Sequence, residues 1–312
     1  VMRVLFMGTP DFAVPTLEAL VKGSRFEVVG VFTQPDRPKG RGNQLAAPPV
    51  KEVALQNNIP VFQPDKIRNQ ETYDLISNLK PEAIVVVAYG KILPKEILEI
   101  PNYGCINVHS SVLPELRGAA PIHWAIYQGK TKTGVSTMLL DEGMDTGEIL
   151  LNSEREITPH MTMGELHDQL KNDGADLLLK TLIGLESGII KSTPQDHSKA
   201  THASLITKDH ELLDWNRSAE ELHNQIRAFN PWPGCYTYFQ GQRIKIWKSD
   251  FELIEASGKP GEIRFESDKL QVGTGKGMLT LLEVQPQSKA KMSSIQWGRG
   301  QKFNKTSSFE AQ

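Results

Sequence analysis

The chain has 312 residues, of which 39% are hydrophobic and 23% are charged, and this length predicts two domains at about 150 residues each. Its 35 lysine and arginine residues nearly balance its 37 aspartate and glutamate residues, which excludes a polybasic or a strongly acidic protein. The longest apolar run, residues 83–88, is far shorter than the roughly 20 residues that span a bilayer. We therefore predict a globular protein without a membrane span.

The first residues and the cysteines indicate a compartment. Residues 1–20 contain Asp11 and Glu18 and lack a basic segment followed by an apolar run, so we expect neither a secretory nor a transit peptide. Without an export signal, Cys105 and Cys235 are expected to be reduced thiols. The sequence shows no run of residues with metal-ligand spacing. These observations predict a cytoplasmic protein with no metal.

Short apolar runs alternate with amphipathic segments over residues 1–188, which predicts an α/β fold with a mostly parallel sheet covered by helices. The run at 83–88 is apolar on both faces, as a central parallel strand requires. In chain order the sequence predicts strands at 3–7, 27–33, 60–62, 83–88, 105–108, 134–140 and 148–156, and helices that begin near 12 and cover 49–57, 68–79 and 162–186.

The second part of the chain follows a different pattern. Residues 189–208 have no sustained hydrophobic period, so they are predicted to be a linker. A helix near 218–228 is followed, from Cys235, by short alternating strands separated by glycines, which predicts a small β-barrel of the oligonucleotide-binding (OB) type. The expected domains are therefore residues 1–188 and, after the linker, a C-terminal barrel at 209–312.

The near-neutral total charge hides a difference between regions. Residues 241–312 hold 12 basic and 8 acidic residues, whereas residues 1–240 hold 23 and 29. Residues 284–312 have five basic side chains against the single acid Glu310. This distribution predicts a surface that faces phosphates, or else a solvated basic face. The five basic residues are Lys289, Lys291, Arg299, Lys302 and Lys305.

A candidate catalytic group stands at the end of the strand predicted at 105–108. Asn107 and His109 project from the same face because their positions differ by two. An amide can hold the oxyanion that forms when an amine attacks a carbonyl, and an imidazole can take the amine proton. Asp145, in the turn 141–147, can supply a carboxylate that orients the ring, although Asp-Thr-Gly is also a common hairpin turn.

Two loops add to this pattern. The run Gly-Thr-Pro at 8–10 has one of the three glycines of a dinucleotide-binding motif, which argues against a nicotinamide enzyme. The long loop at 34–44 concentrates Arg37, Lys39 and Arg41 between glycines. A mobile basic loop beside the active face can grip phosphates, and surface loops of this composition also occur without that function.

Eight short motifs occur in order along the chain: MGTPDF (7–12), TQPDRP (33–38), GRG (40–42), VAYGKILP (87–94), GCINVH (104–109), LRGAAPI (116–122), MDTG (144–147) and FNPWPG (229–234). In these motifs the chain resembles the methionyl-tRNA formyltransferase family over nearly its whole length. The resemblance implies a Rossmann-like formyltransferase domain followed by a barrel that helps to hold tRNA. It also implies transfer of a formyl group from 10-formyltetrahydrofolate, as co-substrate, to the α-amino group of methionine on initiator tRNA.

The resemblance also assigns roles to single residues. Val112 stands where the family has leucine, in the segment that contacts the folate. Asn43 and Gln44 stand where family members are often basic, which reduces the expected number of phosphate contacts. The implied site residues are Asn107, His109 and Asp145 for catalysis, Ser111, Val112, Leu113 and Pro114 for folate contact, and Arg37, Lys39 and Arg41 for tRNA contact.

Three other functions fit parts of the chain. A glycinamide ribonucleotide formyltransferase shares the Asn-x-His and the aspartate but lacks a counterpart to residues 209–312. A formyl-folate hydrolase would use water in place of the amine. A tRNA-binding protein without catalysis would leave Asn107, His109 and Asp145 without a shared purpose. We expect a monomer because the chain has no heptad stripe.

Overall fold

The structure is a computed structural model that describes residues 1–255 and 258–310. These residues form two compact units. The first unit contains residues 1–121, 133–156 and 167–203, and the second unit contains the remaining described residues. The domain bounds expected from the sequence stay a prediction.

Most of the predicted helices and strands are confirmed, with ends that shift by one or two residues. No helix in these described ranges is long and apolar enough to cross a membrane. The helices are α1 Val14–Lys22, α2 Pro49–Gln56, α3 Gln70–Leu79, α4 Lys95–Leu98, α5 Pro121–Tyr127, α6 Met163–Glu186, α7 Ala219–Ala228 and α8 Ser294–Arg299. The strands are β1 Met2–Gly8, β2 Phe26–Phe32, β3 Arg37–Lys39, β4 Gln44–Ala46, β5 Val61–Phe62, β6 Ala83–Val87, β7 Cys105–His109, β8 Arg117–Gly118, β9 Lys132–Leu139, β10 Ile149–Glu156, β11 His202–Ala203, β12 Cys235–Phe239, β13 Gln242–Glu252, β14 Ile263–Glu266, β15 Lys269–Gly273, β16 Met278–Pro286 and β17 Met292–Ser293.

The first unit is built on a seven-stranded sheet in the order β10-β9-β7-β6-β1-β2-β5. β1 pairs in parallel with β2 and β6, β6 pairs in parallel with β7, and β9 runs antiparallel to β7. All five residues of β6 are buried, because helices cover a central strand on both faces. The mostly parallel sheet predicted from the sequence is confirmed.

The loops after three neighbouring strands meet at one carbonyl. Thr9, after β1, donates its hydroxyl to the carbonyl of Tyr89, after β6, at 3.2 Å. Gln34, after β2, donates its amide to the same carbonyl at 2.9 Å. Gly8 leaves room for this approach, since a Cβ there would lie 2.8 Å from the carbonyl oxygen of Val87. In the sheet, β2 lies on one side of β1 and β6 on the other, so the strand order reverses between β1 and β6. Open α/β sheets bind ligands at the carboxyl ends of the strands at such a point.

The second unit contains an antiparallel sheet in the order β12-β13-β16-β15-β14, with β17 paired to β16. β13 alternates buried residues with more exposed ones: Ile244 and Ile246 are buried, and Arg243 and Lys245 are partly exposed. Such alternation is typical of a sheet with one face on a core. The strands predicted after Cys235 are therefore confirmed, and the structure shows that they pair antiparallel.

The last described residues reach both outer strands of this sheet. Ser307 accepts a hydrogen bond from the amide of Ile263 in β14, and the amide of Glu310 donates to the carbonyl of Tyr238 in β12, both at 2.9 Å. Phe309, between them, is 2% exposed, so its ring anchors the segment in the core. A segment for which the sequence predicted no role thus contacts both edges of the sheet.

Candidate active site

β7 carries Asn107 and His109 to the carboxyl edge of the parallel strands, on one face of the sheet as their spacing predicts. Asn107 pairs with Val86 of β6, and His109 pairs with Ser136 of β9. His109 is 7% exposed. The side-chain amide of Asn107 forms no hydrogen bond with a described residue. Both of its N–H donors are therefore available to a substrate.

The His109 ring is held by one nitrogen and faces a carboxylate with the other. Nε2 lies 2.9 Å from the carbonyl oxygen of Leu116. A carbonyl only accepts, so Nε2 carries a proton and Nδ1 is the nitrogen that exchanges one. Nδ1 lies 3.7 Å from Asp145 Oδ2, which is longer than a hydrogen bond. The carboxylate is near enough to attract the positive charge of a protonated ring.

Asp145 reaches this position through an unusual backbone conformation. Its φ is +55°, in the left-handed region that aspartate tolerates better than most residues. Its Oδ2 accepts a hydrogen bond from the amide of Gly118 at 2.7 Å. Gly147 ends the turn where no side chain fits, since a Cβ would lie 1.6 Å from the carbonyl oxygen of Leu139. The structure thus brings Asp145 to His109.

The segment predicted to contact folate continues directly from β7. The Ser111 hydroxyl donates to the carbonyl of Glu115 at 2.6 Å. Ser111 and Leu113 are 0% and 3% exposed, so their side chains build the loop. Val112 and Pro114 are partly exposed. Only these two of the four residues present side-chain surface to a ligand.

The basic loop at 34–44 was expected to be a long loop, and this expectation is wrong for part of it. β3 and β4 form an antiparallel hairpin in which Lys39 pairs with Gln44. Gly40, Gly42 and Asn43 in the turn have positive φ, which glycine and asparagine adopt readily, and this allows the hairpin to close.

The three cations predicted to contact tRNA, Arg37, Lys39 and Arg41, are exposed on this hairpin. Its base is fixed at Asp36, whose carboxylate binds Lys51 at 3.0 Å and Gln63 at 2.8 Å. The pKa of Asp36 is lowered, chiefly by the hydrogen bond from Gln63 and next by the hydrogen bond from Lys51. The hairpin therefore presents its positive charge from an anchored base.

Cys105 lies in the same strand as Asn107 but plays no visible part in the chemistry. Its side chain is 2% exposed, and burial raises the pKa of its thiol to about 12. A thiol with so high a pKa forms little thiolate at neutral pH, and the thiolate is the nucleophile. Cys105 is a core residue, as its position in β7 predicts.

One group of potential metal ligands occurs among the described residues. Ligand atoms of Asp11, His167 and Asp168 lie within 4.8 Å of one another. The ammonium of Lys171, however, lies 2.8 Å from Asp11 and 3.4 Å from Asp168. A lysine charge at this place neutralises the carboxylates, so we interpret the group as an ion-pair cluster and not as a metal centre.

Four residues that hold the site were not predicted as site residues: Leu116, Arg117, Gly118 and Gln195. The first three lie in the LRGAAPI motif, which contributed to the family resemblance but to whose residues the sequence analysis assigned no role. Gln195 lies in the predicted linker, where no sequence signal pointed to it. Gln195 is 6% exposed, and its burial is visible only in the structure.

Comparison with known families agrees with this geometry. Residues 2–182 match the formyl transferase family, and residues 205–302 match the formyl transferase C-terminal domain. The fold is similar to the N-formyltransferase from Helicobacter canadensis in complex with folinic acid and dTDP-3-aminofucose, with a TM-score of 0.67, 20% identity, and coverage of 90% of this chain and 99% of that one. The fold and the matched regions define a formyl transferase.

Relatives with higher identity narrow this class. The chain is 49% identical over 301 residues to the methionyl-tRNA formyltransferase of Clostridium novyi, covering 96% of this chain and 97% of that protein. It is also 49% identical over 300 residues to the methionyl-tRNA formyltransferase of Bacillus subtilis, covering 96% and 94%. The chain therefore belongs to the methionyl-tRNA formyltransferase family.

Proposed function

We propose that this chain transfers the formyl group of 10-formyltetrahydrofolate to the α-amino group of methionine on initiator methionyl-tRNA. The observation that carries the proposal is the approach of His109 Nδ1 to Asp145 Oδ2, at 3.7 Å, on the strand that carries Asn107 two residues before His109. An amide donor, an imidazole and a carboxylate are the groups that attack of an amine on a carbonyl requires.

The three side chains divide the chemistry among them. The neutral amine attacks the formyl carbon and a C–N bond forms, while Asn107 donates a hydrogen bond to the oxygen on which negative charge develops. His109 takes the amine proton at Nδ1, because its Nε2 is bound to Leu116. Asp145 attracts the resulting imidazolium. The proton then passes to the folate nitrogen as its bond to the formyl carbon breaks.

Exposed apolar side chains in two loops of the first unit suit the faces of a flat heterocycle. Ile92, after β6, is 57% exposed, and Met144, after β9, is 63% exposed. Together with the surfaces of Val112 and Pro114 they offer apolar contacts to ring faces. We assign the folate to these residues beside Asn107, where it supplies the activated formyl group.

A basic and aromatic face of the second unit suits an RNA partner. Lys245 and Lys291 lie over the Trp247 ring, with Nζ 5.2 Å and 3.8 Å from its centroid. Arg243 lies over the Tyr236 ring at 4.4 Å. Cations beside aromatic rings bind single-stranded nucleic acid by charge and stacking. We propose that this basic face and the hairpin β3–β4 both contact the tRNA.

The antiparallel sheet of the second unit is proposed to close as an OB-like barrel. The support is the segment 307–310, which bonds to β14 through Ile263 and to β12 through Tyr238. A strand-like segment between the two edges of a sheet leaves neither edge open.

The proposal is tested by incubating the full chain with formyl-labelled 10-formyltetrahydrofolate and charged initiator tRNA, and following the label. We expect it in formylmethionine released from the tRNA. Label in formate would indicate the hydrolase, and label in a small amine would indicate a formyltransferase with another substrate. Either result, or no turnover, contradicts the proposal.

A further inference from the structure

Three consecutive residues hold the catalytic groups from one side. The carbonyl of Leu116 lies 2.9 Å from His109 Nε2, and the amide of Gly118 donates to the Asp145 carboxylate at 2.7 Å. Arg117 stands between them, and it is 5% exposed. A guanidinium buried at this position must satisfy its donors within the protein.

Arg117 shares these donors between Gln195 and His197, whose Nδ1 lies 2.9 Å from Arg117 Nη2. The amide oxygen of Gln195 accepts from Arg117 Nε at 3.1 Å and from Nη2 at 2.7 Å. Its amide nitrogen donates to the carbonyls of Asp145 at 2.9 Å and Gly147 at 2.7 Å. A guanidinium can only donate, so Arg117 fixes the oxygen toward itself and the nitrogen toward the turn. A single side chain thus ties Asp145 and the last residue of its turn, Gly147, to Arg117.

We propose that Gln195 is a positioning residue. It holds the Asp145 carboxylate close to the His109 ring, so that the carboxylate stabilises the ring when it takes the proton of the attacking amine. The φ of Asp145, +55°, is a conformation that persists where surrounding bonds impose it. Gln195 imposes it through the backbone, and Gly118 aims the carboxylate. The inference rests on the proposed function, because it concerns the same reaction.

The second unit, to which none of the proposed catalytic residues belongs, contains a glutamine with the same bonding pattern. Gln225, which is 2% exposed, donates its amide to the carbonyls of His210 at 2.8 Å and Leu212 at 3.1 Å. Its amide oxygen accepts from Arg217 at 3.1 Å. A substitution at Gln225 therefore measures what the loss of such a clamp does to folding alone.

The test is a double-mutant cycle between Gln195→Glu and Asp145→Asn, assayed by formylation of charged initiator tRNA. The glutamate can still accept from Arg117, but its carboxylate cannot donate to the turn. We expect Gln195→Glu to lower kcat by about tenfold or more, with KM for tRNA within about twofold. In the Asp145→Asn background the same change lowers kcat by less than about twofold, because Gln195 acts through Asp145.

Two further measurements distinguish a positioning role of Gln195 from a purely structural role. The pH profile of kcat for Gln195→Glu shifts toward that of Asp145→Asn. Gln225→Glu loses a similar amount of thermal stability but keeps the wild-type kcat and pH profile. If Gln195→Glu does not fold, Gln195→Met, which has a similar length and no charge, takes its place with the same expectations.

The inference would be overturned if the losses of kcat caused by Gln195→Glu and Asp145→Asn multiplied in the double variant. An equal loss of kcat in Gln225→Glu, or a wild-type kcat in Gln195→Glu, would overturn it as well. In each of these cases the wild-type enzyme still formylates methionyl-tRNA. Failure of the proposed function is distinguishable, because the wild-type enzyme would then form no formylmethionine.

Discussion

The two units use polar side chains in opposite ways. In the first unit His109 and Asp145 are largely buried, and each is held by a backbone group, of Leu116 and Gly118. In the second unit the exposed Lys291 and the partly exposed Arg243 and Lys245 lie over aromatic rings. Bond-making chemistry depends on fixed donor positions, whereas binding of a polyanion depends on the number of charges near it. The difference indicates that substitutions in the first unit act on kcat and those on the basic face act on affinity.

Apart from the loss of His109, which removes the proposed base, the largest effect is expected at Asn107. Asn107→Ala removes the proposed donor to the developing oxyanion, so kcat should fall by about 10²–10³-fold, while the dissociation constant for tRNA stays unchanged. Single-turnover formylation and a filter-binding assay measure the two quantities. Asn57→Ala, at the exposed residue that follows α2, is the matched control and should change neither. A normal kcat in Asn107→Ala would remove Asn107 from the mechanism.

Removing two cations from the basic face tests the other side of the comparison. The double variant Arg243→Gln with Lys291→Gln should reduce the slope of log affinity against log salt by about 2, which is about 1 per lost phosphate contact, with kcat unchanged. Lys269→Gln with Lys248→Gln changes the net charge equally and is the control. The Lys269 ammonium is already neutralised by Glu252 at 2.7 Å. A lower kcat with an unchanged slope would contradict the assignment.

A smaller effect is expected at the tip of the hairpin. Arg41→Gln should reduce the salt slope for tRNA binding by about 1 and leave kcat at saturating tRNA unchanged. Binding isotherms at several salt concentrations measure the slope. The Gln44→Ala variant, at an exposed residue of the same hairpin and without a change of charge, is the comparison. Equal slopes for Arg41→Gln and the wild type would show that the hairpin does not contact tRNA.

The sequence predicts the site better than it predicts what holds the site. The spacing of Asn107 and His109 predicts their common face, because side-chain direction along a strand is a local property. The contact of Asp145 with His109 joins positions far apart in the chain, and the sequence offered a simple hairpin turn as an alternative. Gln195 left no signal because its role depends on burial against Arg117, which arises only from tertiary packing. The hairpin at 37–46 was missed because the residues of its turn, Gly40, Gly42 and Asn43, are of types that are also typical of flexible loops.

The smallest effect concerns stability and lies in the second unit. Burial lowers the pKa of His223 below its ordinary value of 6.5. The unfolded chain therefore binds a proton that the folded chain resists, so stability falls as the pH drops below about 6.5, by at most about 1.4 kcal/mol per pH unit. His223→Gln should flatten this dependence.

Tryptophan fluorescence during urea unfolding measures this pH dependence. All five tryptophans lie in the second unit, so the signal reports on the unit that contains His223. An equal loss of stability between pH 7 and pH 5 in wild type and His223→Gln would show that another group controls it.

The central claim is that His109, beside Asp145, moves the proton of the attacking amine. The most direct test is the single-turnover rate of formylation by His109→Ala with both substrates saturating. The rate should fall by about 10²–10⁴-fold, the range of general acid–base catalysis, while tRNA affinity stays that of the wild type. A rate near that of the wild type would contradict the account.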